Sequence, residues 1–277
     1  MCESDTKVTI INEMRARMRT PITYYGGKQT MLPHILPLVP EHQVYTESFA
    51  GGAALFFAKE PVPAEIINDL NLELVNFYNV VQCDYESLKE LIDRTLHSRD
   101  VHAHARHILT YPGFFIPVER AWAVWACCKM GFASRLDGSF GYDRGGGQTK
   151  KLRNAKQNFT RELCERLEHV TIESRDALQV IETYDTPSAF HFVDPPYVDT
   201  DCGHYSDMFG RRELGDLLEV LSKVEGKFML TSFPDDEILR YVQKEGWHIH
   251  TIERTISASR TRRRKQEEWM VVNYKLT

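Results

Sequence analysis

The sequence predicts an α/β fold that carries its functional residues at the carboxyl edge of an open sheet. Three stretches carry that expectation. In Phe190-His191-Phe192-Val193-Asp194-Pro195-Pro196-Tyr197, an apolar run ends in a carboxylate, two prolines and an aromatic ring. In Val44-Tyr45-Thr46-Glu47-Ser48-Phe49, a strand pattern runs through Ala50-Gly51-Gly52 into a helix pattern that ends near Lys59. In Glu65-Ile66-Ile67-Asn68-Asp69, a second strand pattern ends in an acid. Strand, glycine turn, helix, strand and terminal acid is an order that cradles nucleotide-like ligands, and open α/β sheets bind ligands at that edge.

The whole chain excludes several classes. Its length suits one large domain or a domain with an insertion. No run is apolar and long enough to span a bilayer, and Met1-Cys2-Glu3-Ser4-Asp5 lacks the basic-then-apolar pattern of a leader. Cysteines stand at 2, 83, 127, 128, 164 and 202 with no Cys-x-x-Cys pair. That spacing implies reduced thiols in a cytoplasmic protein, without a disulfide framework or a zinc site. The net charge of -5 does not itself point to nucleic acid, so any DNA contact rests on local basic patches.

Taken in order, residues 1–20 read as a loose arm, with Arg15, Arg17 and Arg19 able to touch phosphate or simply solvated. Tyr24-Tyr25-Gly26-Gly27-Lys28 places paired glycines before a cation, which suits close backbone approach to an anionic group or a plain turn. A P-loop fails on spacing, because Ile22 stands where its first glycine belongs and Gln29 follows the lysine. Asp69 sits near the offset of about 20 residues at which such folds place a ribose-binding carboxylate. It also suits a cap for a helix starting near Asn71. Residues 71–110 read as mostly helical, with His102, His104 and His107 scattered around the helix as solvated or phosphate-facing groups. Val118 to Met130, with Trp122, Trp125, Cys127 and Cys128, reads as a core helix.

Composition then shifts. Arg135 to Gly147 is glycine-rich, with rings and arginines interleaved, and Lys150, Lys151, Arg153, Lys156 and Arg161 follow without an intervening acid. This is the clearest basic patch: a loop for a groove and a helix along phosphates, or a surface loop before a solvated helix. Val170 to Ser174 reads as a strand with Asp176 past its end, either beside a ligand crevice or capping a helix over 177–184. Asp199 to Gly210, with Tyr205 and Phe209, reads as a flap. Leu214, Leu217, Leu218 and Leu221 give a helix over 212–224 one apolar side. Strands follow at 227–231, 247–253 and 268–274, with a helix over 235–245. Between the last two strands, Arg260, Arg262, Arg263, Arg264 and Lys265 form a second basic loop or a solvated hairpin tip.

Proline has no N–H and fixes φ, so the strand through Val193 must stop and present Asp194 and Tyr197 at the edge. A carboxylate and a fixed backbone carbonyl there can accept the two N–H bonds of an exocyclic amine. That localises its lone pair toward an electrophilic methyl group, while the ring stacks on the base. By itself the tetrad also reads as a proline-stopped strand with an ordinary turn.

From about Thr20 to Tyr274 the ordered set resembles DNA adenine N6-methyltransferases of the Dam type. Tyr24-Tyr25-Gly26-Gly27-Lys28 is similar to that family's aromatic-x-Gly-Gly-Lys element. Glu47-Ser48-Phe49-Ala50-Gly51-Gly52 is similar to its Glu-Pro-Phe-x-Gly-x-Gly element, with Asn68-Asp69-Leu70-Asn71 the acidic element after it, and Asp194-Pro195-Pro196-Tyr197 is its catalytic tetrad. The resemblance implies a Rossmann-like sheet with a late antiparallel strand and S-adenosylmethionine as donor. It implies a catalytic domain over 20–83 and 166–277, a mainly helical target-recognition insertion over 84–165 and an arm over 1–19. Tyr24, Gly27, Lys28, Glu47, Phe49, Ala50, Gly51, Gly52, Asp69, Asp176 and Asp194 would surround the donor. The tetrad would hold an adenine flipped from duplex DNA. Arg135, Arg144, Lys150, Lys151, Arg153, Lys156, Tyr205 and Arg260 would contact the DNA.

The implied protein is a monomer on DNA, without a metal, beside a cognate restriction endonuclease. Ser48 replaces the family's proline, and Lys129-Met130-Gly131-Phe132-Ala133-Ser134-Arg135 does not reproduce the Dam residues that read GATC, the family's default target. Cytosine N4 or an RNA base as acceptor, and a non-catalytic DNA-binding relative, are the rival readings. A glutamine acceptor is disfavoured because that group usually has Asn in place of Asp194.

Overall fold

The computed structural model describes residues 18–198, 209–256 and 264–275. Seven strands form one mixed sheet: β1 (Val44–Glu47), β2 (Ala64–Asn68), β3 (Val170–Glu173), β4 (Ala189–Val193), β5 (Lys227–Ser232), β6 (His248–Ile256) and β7 (Arg264–Val272), in the order β3-β2-β1-β4-β5-β7-β6. β1 runs parallel to β2 and β4, and β4 parallel to β5. β7 enters between β5 and β6, antiparallel to both, and is the late antiparallel strand the sequence predicts. β4 is buried at every residue, as a parallel strand covered on both faces must be, and its apolar run reflects that.

By their contacts the described residues fall into two units. The first holds the chain up to Pro37, Ala50–Glu60 and Asp69–Ser174; the second holds Leu38–Phe49, Pro61–Asn68 and the chain from Arg175 onward. The first contains β3 and eight helices among the described residues: α1 (Leu32–Ile35), α2 (Ala54–Ala58), α3 (Leu72–Cys83), α4 (Tyr85–Arg94), α5 (Arg99–Thr110), α6 (Pro117–Met130), α7 (Gly147–Gln157) and α8 (Glu162–Leu167). α6 is its axle and packs against α3, α4 and α5. Its Ala121, Ala123, Ala126, Cys127 and Cys128 are buried beside Trp125, and side chains that small let neighbouring helices approach closely. Burial raises the Cys128 thiol to about 12, which leaves it protonated and inert.

The stretch 71–110 is mostly helical, as the sequence predicts, and is divided into three helices. Asn71 caps α3 by accepting from Glu73 N, and Ser98 caps α5 by accepting from Asp100 N. His102 departs from the solvated reading. It is only 3% exposed, and burial, then the charges of Arg106 and His97, holds its pKa below the usual imidazole value.

The second unit packs α9 (Ala177–Tyr184), α10 (Arg211–Leu221) and α11 (Asp236–Glu245) with its strands. Leu214, Leu217, Leu218 and Leu221 of α10 join Ile181, Val193, Phe228, Leu230, Ile238, Trp247 and Val271 in one cluster. Each buried leucine contributes roughly 1.5–3 kcal/mol, so the predicted apolar stripe is what seats α10. Among the described residues no helix is long and apolar enough to cross a membrane, and no group of three metal-binding side chains occurs.

His191 lies wholly buried on β4, its Nδ1 2.7 Å from Thr46 Oγ1 and its Nε2 3.1 Å from Asp185 Oδ1. Asp185 also accepts from Glu225 N at 2.7 Å and Gly226 N at 2.9 Å. Burial outweighs the carboxylate and lowers the His191 pKa below its unfolded 6.5. The neutral ring therefore contributes stability that is fully present above about pH 6.5 and is lost as pH falls through the folded value. Denaturant midpoints should fall below that pH, and His191→Asn should flatten the fall. A wild-type midpoint unchanged between neutral and mildly acidic buffer would contradict this.

Candidate active site

In the second unit, the parallel strands β2, β1 and β4 end at one edge of the sheet. Asp194 is the first residue past β4 and is partly exposed. Thr231, near the end of β5, donates its hydroxyl to Asp194 Oδ1 in a short hydrogen bond. Tyr197 donates its hydroxyl to Glu268 Oε1 at 2.6 Å, and its ring meets Phe233 edge-on at 4.5 Å. Glu268, on β7, is only 1% exposed. Burial first, then the charges of Asp194 and Glu268, pushes the Tyr197 phenol far above its ordinary value, so it remains a hydrogen-bond donor. Pro195 is buried and Pro196 half-buried. The tetrad is thus held by Thr231, Phe233 and Glu268, none of which the sequence reading singled out.

The ends of β1 and β2 are tied by Asn68, which the sequence reading named only as part of the acidic element. Its Nδ2 donates to Ser48 O at 2.9 Å and Arg175 O at 3.0 Å, and its Oδ1 accepts from Arg175 N at 2.8 Å. Glu47 is buried and accepts from Tyr45 OH at 2.8 Å. Phe49 packs edge-on to Phe209 at 5.9 Å. Asp176 is exposed and caps α9, accepting from Leu178 N and Gln179 N at 2.9 and 3.2 Å. The capping alternative is therefore realised.

The chain leaves β1 through Ser48-Phe49 into the glycine turn and leaves β2 directly into Asp69, both within the first unit. Gly51 has φ +48°, a left-handed value that glycine adopts freely. Its N–H donates to Asp69 Oδ2 at 2.9 Å, and its carbonyl accepts from Tyr78 OH at 2.7 Å. A Cβ at Gly51 would lie 3.1 Å from Tyr24 Cδ1. Asp69 also accepts from Asn71 N through Oδ1 at 2.8 Å, so one carboxylate fixes both the turn and the start of α3. Ala53 takes φ +49° without glycine's freedom, a strain of order 1 kcal/mol of the kind found at ligand sites. Gly27 is equally constrained, since a Cβ there would come within 2.9 Å of Tyr24 O. Lys28 is buried and donates to Gly26 O at 3.1 Å. Tyr24, Gly27, Lys28, Ala50, Gly51, Gly52 and Asp69 all lie in this unit, and Tyr24 packs directly on the turn.

The predicted DNA contacts differ in their availability. Arg135 forms a fork with Asp137, at 3.0 Å from Nε and 3.1 Å from Nη2, with its guanidinium 5.6 Å from the Tyr25 ring centre. The Arg135 hydrogen bond holds the Asp137 carboxyl below its ordinary pKa. Lys156 Nζ donates to Asp93 O at 2.9 Å. Arg144, Lys150, Lys151 and Arg153 are exposed, while Leu152 turns α7 into the core. Asp143 caps α7, accepting from Gly147 N at 3.0 Å and Gln148 N at 2.8 Å. Tyr205 and Arg260 lie outside the described residues.

A family model described as D12 class N6 adenine-specific DNA methyltransferase matches residues 24–258. The Type II methyltransferase M1.LlaDCHI of Lactococcus lactis subsp. cremoris is 26% identical over 289 residues, covering 96% of this chain and 99% of its own. The Type II methyltransferase M.CviBI of Paramecium bursaria Chlorella virus NC1A is 27% identical over 206 residues, covering 71% of this chain and 75% of its own. The DNA N-6-adenine-methyltransferase of Escherichia phage P1 is 32% identical over 91 residues, covering 33% of this chain and 12% of its own.

Tyr197→Phe removes a donor from the buried Glu268 carboxylate and should lower stability by roughly 1–3 kcal/mol. Chemical denaturation reads this directly, and an unchanged midpoint would show that the hydroxyl contributes nothing.

Proposed function

Because the chain belongs to the D12 class N6 adenine-specific DNA methyltransferase family, we propose that it transfers a methyl group from S-adenosylmethionine to N6 of an adenine rotated out of duplex DNA. The observation that carries this reading is the pair of restraints on the tetrad: Asp194 held by Thr231, and Tyr197 held by Glu268 and Phe233.

The residues fit the donor. Gly51 takes the left-handed turn that allows close backbone approach to a ligand, and carboxylates such as Glu47 and Asp69 suit a donor that bears positive charge and ribose hydroxyls. Tyr24, Gly27, Lys28, Glu47, Phe49, Ala50, Gly51, Gly52 and Asp69 would hold it, with Asp176 at the start of α9. When bound, the donor supplies a methyl group activated by an adjacent sulfonium.

The chain's own residues do the rest. Rotating a nucleotide out of the duplex costs a few kcal/mol, of which stacking on Tyr197 returns roughly 1–3 kcal/mol. Asp194 accepts one N–H of the adenine amine and the Pro195 carbonyl accepts the other. A carboxylate has about four acceptor sites, so the Thr231 bond and a substrate bond coexist on Asp194. Fixing the amine in this way aligns its lone pair, and alignment of that kind contributes several kcal/mol. Asp194 acts as an ionised acceptor rather than a strong base, since the proton can leave after the methyl has moved.

Residues 20–83 and 166–277 form the catalytic part of this reading and 84–165 the recognition part. Arg144, Lys150, Lys151 and Arg153 track the backbone, where counterion release makes affinity salt-dependent. The target is a short fixed sequence, with GATC the first to test. The relatives named Type II methyltransferases support a place beside a restriction endonuclease, with the chain acting as a monomer on DNA.

Asp194→Ala should abolish methyl transfer to adenine-containing duplexes while calorimetric binding of S-adenosylmethionine stays near wild type. Robust turnover by that variant removes Asp194 from the chemistry.

A further inference from the structure

Arg99 has no part in the sequence reading, yet it is the described cation of the first unit that is held from two sides by the glycine-rich segment. It opens α5 directly after the Ser98 cap. Its guanidinium carbon lies 5.0 Å from the Phe140 ring centre and 5.0 Å from the Tyr142 ring centre. Phe140 is itself fixed: its ring is 4.7 Å from His97 and 5.7 Å from His102, and the residue bridges Gly131 across the hairpin. Tyr142 is 67% exposed, so the outer wall of this clamp faces solvent.

Arg99 is exposed and makes no ion pair with any described residue. Asp100 follows it in the first turn of α5 but forms no salt bridge with it. A guanidinium at the positive end of a helix is placed against the dipole; both would be relieved by an anion, and a planar fork suits the paired oxygens of a phosphate. Two aromatic faces limit the rotamers of the side chain, so less freedom is lost when a ligand binds. Arg144, only two residues past Tyr142, continues the positive charge toward Lys150, Lys151 and Arg153.

We propose that Arg99, gripped by Phe140 and Tyr142, binds a backbone phosphate of the DNA duplex and thereby sets the register of the 131–142 hairpin on it. This rests on the DNA-methylation reading above and adds a positioned contact to it. Unlike the solvated lysines of α7, Arg99 links one phosphate to the place of the hairpin.

The test titrates the full chain with a fluorescently labelled mixed-sequence duplex over a range of salt concentrations. Arg99→Gln should weaken binding and reduce the slope of log affinity against log salt by about 0.9, the value for one lost phosphate contact. Its melting temperature and S-adenosylmethionine affinity should remain those of wild type. Arg99→Lys should keep the slope, and Tyr142→Leu should weaken binding at every salt concentration with the slope intact. A wild-type slope for Arg99→Gln overturns the proposal. So does a lysine variant that loses as much slope as glutamine, or an affinity loss matched by a lower melting temperature that lysine does not rescue. If wild type methylates adenine and Arg99→Gln keeps its slope, only this inference fails. A wild-type chain that neither binds duplex nor methylates it overturns the methylation reading and this contact with it.

Discussion

The hydrogen bond from Thr231 to Asp194 is the constraint that fixes the tetrad at the end of β4, and the proposed chemistry rests on it. Two prolines end β4 and leave Asp194 where a ladder can no longer orient it, so a neighbouring strand must. β5 does this through a side chain rather than its backbone, because Thr231 is buried and aims its hydroxyl at the carboxylate. β7 then fixes Tyr197 through Glu268. The late antiparallel strand therefore joins β5 to the edge strand β6 and also holds the aromatic member of the tetrad.

The first unit follows the same logic with a different acid. Asp69 accepts from the Gly51 and Asn71 amides, so the glycine turn and the start of α3 are set by one carboxylate. This explains why two glycines meet without a looser loop: one supplies a left-handed φ that the amide bond requires, and Tyr24 occupies the space a side chain would fill. A carboxylate used in this way shapes the turn through backbone amides alone. In the second unit Asn68 has the matching duty, joining the ends of β1 and β2 to the strand-to-helix link before α9.

What the sequence made legible was local. Strand patterns located all seven strands; β4 was the plainest, because a buried parallel strand must be apolar on both faces and carries that in consecutive residues. The stripe Leu214, Leu217, Leu218 and Leu221 located α10, and the proline pair located the end of β4. What stayed hidden was non-local. Thr231 lies 37 residues from Asp194 and Glu268 lies 71 from Tyr197, so no window of chain pairs them. The available signal was weak: a hydroxyl after the apolar run of β5 and an acid beside the apolar half of β7. Asn68 was read only as part of a motif, since its partner Arg175 is 107 residues away. The burial of His102 was missed because helical periodicity shows which residues share a face, not which face the Phe140 hairpin covers. Arg135 was read as a DNA contact without its fork to Asp137, which stands two residues away, a spacing the sequence displayed.

The most direct test of the central constraint is the turnover of a Thr231 series, measured as methyl transfer to adenine in duplex DNA at saturating donor and DNA. Thr231→Val keeps the shape of the strand and removes the hydroxyl, and a hydrogen bond to a charged group is worth about 1.5–3 kcal/mol. Turnover should therefore fall by roughly tenfold or more with donor affinity intact, and Thr231→Ser should restore most of it. Full turnover by Thr231→Val would contradict the account, because Asp194 would then need no partner to hold it in place.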